Sequence, residues 1–176
     1  AVGWAGTVLR TSDRGASWET TSLGDDLYLT DVAFGNERDG VAIGWSYAGA
    51  FNGLVMRTTD GGVSWIEARR LEGQMFSDVA FLSATVAVVT GNDGHILRST
   101  DAGATWNSVR IWGDDYTLTA VTALPGGDAV LVGEHALMLR STDEGVTWSP
   151  VPVPDWRDLE DVHFLDASSG MVVTRG

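Results

Sequence analysis

The 176-residue chain contains no cysteine, only four prolines, and fewer than half as many basic as acidic side chains. Without cysteine it can form no disulfide framework and no thiolate metal site, although neither a reducing nor an oxidising compartment is excluded. Its 11 basic and 24 acidic residues give a net charge of −13, which would repel a phosphate backbone, so we expect no nucleic-acid partner. No apolar run approaches the length of a transmembrane helix, so we expect no transmembrane segment.

Glycine, by contrast, is abundant, with 22 residues, and Val, Thr, Leu and Trp are common. This composition is typical of short strands separated by tight turns, and the apolar residues show no helical period. With 44% hydrophobic and 20% charged residues, the chain has an ordinary globular balance and is long enough to bury a substantial core. We therefore predict an all-β fold.

An eight-residue pattern, Ser/Thr-x-Asp-x-Gly-x-Ser/Thr-Trp, occurs four times, and its tryptophans are spaced by 47, 41 and 42 residues. A repeat of this length predicts a β-propeller of four-stranded antiparallel blades. Within each copy, the aspartate can accept backbone N–H groups in a turn and the glycine permits positive φ. The hydroxyl residues can cap nearby backbone groups, and the tryptophan can anchor the hairpin in the hydrophobic layer.

Four identical carboxylates in four separate blades cannot converge on one small site, so we predict that the repeat fastens the fold rather than binding calcium or catalysing a reaction. The residues given this structural role are Asp13, Gly15, Trp18, Asp60, Gly62, Trp65, Asp101, Gly103, Trp106, Asp143, Gly145 and Trp148. The arginines just before the pattern are interpreted in the same way, as repeat residues: Arg10, Arg57, Arg98 and Arg140.

The third repeat supplies a template for one blade, with strands predicted over 76–82, 86–90, 95–99 and 105–109 and a tight turn over 91–94. Strands that open further blades are predicted over 29–34, 118–123 and 159–164. A single propeller domain over 1–176 then divides into blades at about 1–22, 23–70, 71–111, 112–152 and 153–176. The first and last segments are complementary partial blades, which leaves about four blades in total. They could belong to a longer ring, to a ring completed by another chain or another copy, or to a small closed ring.

The repeat resembles the Asp-box, or bacterial neuraminidase repeat, of sialidases, sortilin-type receptors and photosystem II stability/assembly factors. The longer phrase Val-Gly-x-x-Gly-x-hydrophobic-Leu-Arg that precedes it is most similar to the photosystem II stability/assembly factor family, with the best matches over 2–18, 90–106 and 131–148. This resemblance implies a seven-bladed, noncatalytic propeller that lies outside the cytoplasm, in a periplasm, in a lumen or as a secreted protein, and binds membrane-protein assembly partners. No cofactor is expected. A chain of about four blades departs from the family pattern.

Function is expected where the repeats differ, because shared residues mostly serve the shared fold. Relative to 91–94, the segment from Gly44 to Gly53 carries a six-residue insertion that is predicted to form a loop. In a four-stranded blade, such second-to-third strand loops lie on the same face as the connections into the next blade, opposite the Asp-box turns. The connections mix acidic and aromatic residues. The purely structural interpretation is that the aromatic side chains cover blade junctions and the acidic side chains only keep the loops hydrated.

The functional interpretation is an acidic, aromatic face that binds a protein partner, either a membrane-protein complex or another copy of the chain. The predicted binding residues are Trp45, Tyr47, Phe51, Asp114, Asp115, Tyr116, Asp155 and Trp156. Our first hypothesis is therefore a noncatalytic, protein-binding propeller scaffold.

The same aromatics could stack on sugar rings, so a glycan-binding propeller or a sialidase-like glycoside hydrolase is the alternative hypothesis. Hydrolysis requires two carboxyl groups at a controlled separation, for which Asp114 or Asp115 could face Asp155 or Asp158. The non-repeat arginines that a sialidase would need have no recognisable context: Arg38, Arg69, Arg70, Arg110 and Arg157. The histidines, His95, His135 and His163, fall at unrelated positions of different blades, so no metal centre is predicted.

Overall fold

The computed structural model describes residues 1–48, 51–110, 116–154 and 156–175, which form strands, turns and loops with one 3-10 turn at Pro125–Gly127. The strands are β1 (Thr7–Arg10), β2 (Glu19–Ser22), β3 (Leu27–Phe34), β4 (Gly40–Ser46), β5 (Asn52–Thr58), β6 (Ile66–Glu72), β7 (Phe76–Phe81), β8 (Ala87–Gly91), β9 (His95–Ser99), β10 (Asn107–Arg110), β11 (Leu118–Ala123), β12 (Ala129–Gly133), β13 (Met138–Ser141), β14 (Ser149–Pro150), β15 (Leu159–Phe164) and β16 (Gly170–Thr174). The predicted all-β fold is confirmed.

Three complete sheets follow one another along the chain. β3–β6, β7–β10 and β11–β14 each form a four-stranded antiparallel meander, which is the structure of a propeller blade. β1 pairs with β2, and β15 with β16, in two-stranded sheets. Ala1–Gly3 runs beside β1, where the Gly3 amide donates to the Thr7 carbonyl at 2.9 Å. These sheets confirm the predicted propeller blades.

The bounds of β3, β7 and β8 differ from the predicted ones by one or two residues, and two further differences have a clear cause. β10 begins at Asn107 rather than Thr105, because the amide and hydroxyl of Thr105 both donate to the Asp101 carboxylate and are not available to the sheet. The segment between Gly44 and Gly53 is not a simple loop, because β4 and β5 stay paired as far as Ser46 and Asn52. The insertion therefore lengthens the hairpin and places Trp45 within a strand, opposite Gly53.

The core lies between successive sheets. Val41, Ile43 and Val55 of the first complete sheet pack against residues of the second sheet that include Leu97 and Trp106. A second cluster joins the second and third complete sheets and contains Val88, Ile96, Leu131 and Trp148. Because the tryptophans of the third and fourth repeats are only 7% exposed, they fill the junction with the preceding sheet.

A glycine at or near the end of the second strand of each complete sheet leaves room for the backbone of the first strand of that sheet. The register of the first strand shifts by one residue near its start, between Leu29 and Asp31 in β3 and at the equivalent places in β7, β11 and β15. A Cβ added at Gly44, Gly91 or Gly133 would overlap a backbone carbonyl oxygen at this shift. Close backbone approach therefore explains the repeat glycine in the three complete sheets.

Arginines join neighbouring sheets. The Nε of Arg10 donates to the Gly61 carbonyl at 3.0 Å, that of Arg57 to Ala102 at 2.8 Å, and that of Arg98 to Glu144 at 2.7 Å. Each acceptor lies in the Asp-box turn of the next sheet. Arg140 instead donates to the Asp128 carboxylate within its own sheet, at 2.7 Å. Thus three of the four repeat arginines connect adjacent sheets, a role that the sequence pattern did not reveal.

Candidate functional site

The Asp-box side chains are engaged within their own turns. In the first copy, the Asp13 carboxylate accepts the Ser17 amide at 2.9 Å, the Ser17 hydroxyl at 2.6 Å and the Thr11 hydroxyl at 2.8 Å. These hydrogen bonds, led by that from the Ser17 hydroxyl, lower the pKa of Asp13 to about 2. The Thr11 oxygen also accepts the Gly15 amide, and Gly15 has a φ of 88°. The oxygen atoms of the carboxylate are therefore committed to closing the turn.

The other three copies repeat this geometry around Asp60, Asp101 and Asp143. The pKa of each is also about 2, although burial opposes the hydrogen bonds from Thr105 and Ser99 at Asp101. Trp18 differs from the later tryptophans because it is 52% exposed. It borders an apolar recess of about 280 Å³ between the first two sheets, which Phe34 and Trp65 also line.

The opposite end of the sheets carries the second-to-third strand turns and the connections between sheets. Backbone hydrogen bonds hold these two kinds of segment together: the amides of Tyr47, Asn92 and Glu134 donate to carbonyls of the adjacent connections. We call this end the loop face. Its described residues are 4–6, 45–48, 51–52, 92–93 and 134–136 in the turns and 23–28, 74–75, 116–117 and 156–158 in the connections.

Three aromatic rings form a continuous row on the loop face, which we call the aromatic ladder: Trp4, Tyr28 and Trp45. The centroids of Trp4 and Tyr28 lie 4.4 Å apart at 78° between ring planes, and those of Tyr28 and Trp45 lie 4.2 Å apart at 34°. Trp4 is 66% exposed, whereas the other two rings are half-buried. Edge-to-face and tilted contacts of this kind are favourable arrangements of aromatic quadrupoles.

The described members of the predicted binding set lie in separate groups. Tyr47 and Phe51 contact each other edge to face at 5.8 Å and are 46% and 56% exposed. Tyr116 packs at 5.6 Å against His135 of the adjoining turn. Trp156 is 84% exposed and lines an open recess of about 400 Å³ with His135, Arg157, Asp158 and Arg175. The predicted acids Asp114, Asp115 and Asp155 lie outside the described residues.

Sequence reasoning missed Trp4 as a site residue and gave Tyr28 no role of its own. A signal was nevertheless present, because Trp4 and Trp45 both directly follow a repeat glycine. The repeat therefore places them at equivalent turn positions, but their meeting through Tyr28 depends on the packing of successive sheets. That packing cannot be read from either turn by itself.

Acidic side chains border the aromatic ladder. Asp25 and Asp26 are exposed and immediately precede β3, and the Ser46 hydroxyl donates to the Asp26 carboxylate at 2.9 Å. Arg70 brings positive charge near Asp26 but is paired with Glu67, through contacts of 2.7 and 3.1 Å. The charge of the arginine is thus largely balanced within β6.

A half-buried carboxyl pair lies away from the loop face, on the first strands of two sheets. The Asp31 carboxylate accepts the Val79 amide at 3.1 Å, and the Asp78 carboxylate accepts the Val121 amide at 2.7 Å. Burial, followed by a hydrogen bond with Asp31, raises the pKa of Asp78 to about 7. Because both groups accept amides of the next sheet, their geometry serves the junction between sheets.

Neither a metal cluster nor a membrane helix is found in the described part of the chain. No three His, Asp or Glu side chains there are arranged to hold a metal ion. None of the helices described is both long and apolar enough to cross a bilayer.

Comparison with known proteins adds a family match. The family model described as "Photosynthesis system II assembly factor YCF48" matches residues 68–156. No curated protein gives a significant match.

Several solved structures share the fold. The structure described as YCF48 bound to D1 peptide has a TM-score of 0.68 and 20% identity, and the match covers 85% of this chain and 47% of that one. YCF48 from Cyanidioschyzon merolae has a TM-score of 0.70 and 20% identity over 99% of this chain and 59% of that one. A GH74 xyloglucanase from Xanthomonas campestris has a TM-score of 0.62 and 18% identity, with coverage of 90% and 29%. The chain thus spans about half the length of the YCF48 structures, and at these identities the likeness concerns the fold.

Proposed function

The chain belongs to the photosynthesis system II assembly factor YCF48 family, and from this premise we propose that it is a noncatalytic assembly factor that binds a segment of a membrane-protein subunit. The family match and the D1 peptide bound to a YCF48 of the same fold support this proposal. We place the binding site on the loop face, with Trp45, Tyr47, Phe51, Asp114, Asp115, Tyr116, Asp155 and Trp156 as its proposed residues.

The observation that carries this proposal is the exposure of large aromatic side chains on the loop face. Phe51 is 56% exposed and Trp156 is 84% exposed. Aromatic residues are enriched in protein interfaces, where they supply much of the contact energy. The Asp-box carboxylates, by contrast, are occupied in their turns. We therefore assign partner binding to the loop face, where the repeats differ.

The proposal extends to organisation and location. All residues from 1 to 176 belong to one propeller domain, with partial blades at 1–22 and 153–176 on either side of three complete blades at about 23–70, 71–111 and 112–152. The protein acts outside the cytoplasm, in a lumen or periplasm where it meets the exposed segments of a membrane complex. It needs no cofactor, because its role is capture rather than chemistry.

Binding of a D1 peptide tests the proposed function. We expect the chain to bind this peptide in isothermal titration calorimetry, and Trp156→Ala or Phe51→Ala to weaken binding about tenfold. This loss equals about 1.4 kcal/mol, the order found for the minority of interface residues that carry most of the binding energy. Trp18→Ala is the matched control, since it removes an exposed tryptophan from the Asp-box end. An unmeasurable wild-type affinity, or equal losses in all three variants, would contradict the proposal.

A further inference from the structure

The geometry of the aromatic ladder points to a narrower inference, which rests on the proposed function: Trp4, Tyr28 and Trp45 bind a cationic side chain, arginine or lysine, of the partner segment. Trp4 offers the largest open ring surface of the three, with 66% of its area exposed. Its ring contacts Tyr28 edge to face, at 4.4 Å between centroids, which restricts the orientation of the indole. An ordered, exposed tryptophan face attracts a cation through its ring quadrupole.

The ladder is not required by the fold. The equivalent turn position in the next two sheets holds Asn92 and Glu134, which directly follow the repeat glycines. Their side chains accept the backbone amides of Met75 and Thr117, at 2.8 and 3.1 Å, and so help to fasten the strand that enters the sheet. An indole has no acceptor and cannot make this bond.

Tryptophan at position 45 is unfavourable for stability in a second way. The indole N–H of Trp45 is buried and has no hydrogen-bond partner among the described residues. A buried donor without a partner is unfavourable. Because Trp4 and Trp45 both replace a polar residue that would fasten the fold, the first two turns favour an aromatic surface at the expense of local stability. Such an exchange is typical of a binding surface.

The negative charge around the ladder favours a cationic side chain as its ligand. Asp25 and Asp26 are both exposed at the start of the segment that supplies Tyr28, and the nearby cation Arg70 is paired with Glu67. The whole chain carries a net charge of −13, which attracts basic segments and repels acidic ones. Carboxylates beside an aromatic face favour a guanidinium or ammonium group over an uncharged anchor.

The experiment uses two twelve-residue peptides, one of alternating arginine and serine and one in which citrulline replaces every arginine. Citrulline keeps the planar shape but loses the charge. Affinities are measured by calorimetry for the wild type, Trp4→Leu and Asp25→Asn, with Trp18→Leu as the control of equal charge on the opposite end. We expect the arginine peptide to bind at least tenfold more tightly than the citrulline peptide. Trp4→Leu should weaken arginine binding three- to tenfold, whereas Trp18→Leu should leave it unchanged.

Three outcomes overturn the inference. If Trp4→Leu and Trp18→Leu bind the arginine peptide as the wild type does, attraction arises only from net charge. If Trp4→Leu weakens both peptides equally, the ladder is an apolar anchor. If it abolishes binding of a xyloglucan oligosaccharide without affecting the arginine peptide, the ladder is a sugar platform.

Asp25→Asn gives a second readout that does not depend on the fold of the tryptophan variant. We expect Asp25→Asn to weaken binding of the arginine peptide about twofold and to reduce the dependence of this affinity on salt concentration. If neither quantity changes, the inference is also contradicted. The two proposals fail separately. If D1 peptide binding is lost in Trp156→Ala but the ladder shows no arginine preference, the ladder inference fails and the assembly-factor proposal stands. If the arginine preference holds but no D1 peptide binds, the ladder inference stands and the assembly-factor proposal fails.

Discussion

Replacement of Gly91 by alanine should destabilise the protein, whereas the same change at Gly3 should not. Both glycines occupy the Val-Gly position of the repeat, Gly91 at the end of β8 and Gly3 beside β1. A Cβ at Gly91 would overlap the Met75 carbonyl oxygen and approach the Phe76 ring to 3.3 Å. A Cβ at Gly3 would meet no atom within 4 Å.

The size of the destabilisation by Gly91→Ala depends on which atoms must move to make room for the new methyl group. The atom that blocks the new methyl group is a backbone oxygen that also accepts the Asn92 amide at 3.1 Å, so it cannot turn away as a flexible side chain would. Overpacking in such a site costs about 1–3 kcal/mol, and the reduced freedom of the unfolded chain returns about 0.4–1 kcal/mol. We therefore expect Gly91→Ala to lower the free energy of unfolding by about 1–2 kcal/mol. At this chain length the loss corresponds to roughly 2–8 °C in Tm.

Urea unfolding followed by tryptophan fluorescence, with a thermal scan at the same pH, measures both variants. Gly3→Ala should be neutral or slightly stabilising, because only the unfolded-state effect remains. The reasoning is refuted if the two variants have the same unfolding midpoint, since the steric difference between the two sites would then have no energetic consequence.

Two further predictions concern the junctions between sheets. Arg98→Met should lower the free energy of unfolding by about 1–2 kcal/mol more than Arg140→Met, because Arg98 donates to the Glu144 carbonyl of the next sheet and Arg140 only to Asp128; urea midpoints of the two variants test this. Burial and the Asp31 contact raise the pKa of Asp78 from 3.8 to about 7, so the folded state holds a proton that the unfolded chain releases, and stability should fall as pH rises from about 4 to 7. Asp78→Asn should remove this slope in urea midpoints measured from pH 4.5 to 8, and an unchanged slope would show that other groups cause it.

Much of the fold could be predicted because the repeat marks equivalent positions. β9, β11 and β15 occupy the predicted residues, since each lies between turn signals whose spacing recurs in the chain. The exceptions arise where a side chain or an insertion changes the pairing. The Asp101 carboxylate accepts the Thr105 amide, which is then unavailable to β10, and in the lengthened hairpin Trp45, Ser46 and Asn52 continue the β4–β5 ladder. Neither effect changes the hydrophobic pattern that strand prediction uses.

The candidate site was less accessible from sequence, because its contacts cross between sheets. The face that carries the turns and connections followed from strand order. The contact of Trp4 with Tyr28 could not be deduced from strand order, since the two residues belong to successive repeats and meet through an isolated bridge. The arginine connections were hidden for the same reason: the pattern gives Arg57 a strand, but its acceptor is the Ala102 carbonyl in another repeat.

The junctions are not fastened equally along the chain. Asp31 and Asp78 each accept an amide from the next sheet, but Ala120 occupies the corresponding position in β11, and the Val162 amide is bound instead by its own neighbour Asp161 at 2.7 Å. The β11–β15 junction is therefore held by the Thr119 hydroxyl, which donates to the Leu159 carbonyl at 2.5 Å, by the His135 amide, which donates to the Asp158 carboxylate at 2.8 Å, and by an apolar cluster. Because the described part of this junction lacks the carboxylate–amide bond that joins the first strands of the other sheets, β15–β16 should separate before the complete sheets unfold. The cooperative transition of the chain consequently reports mainly on β3–β14, the part that contains Gly91, Arg98 and Asp78.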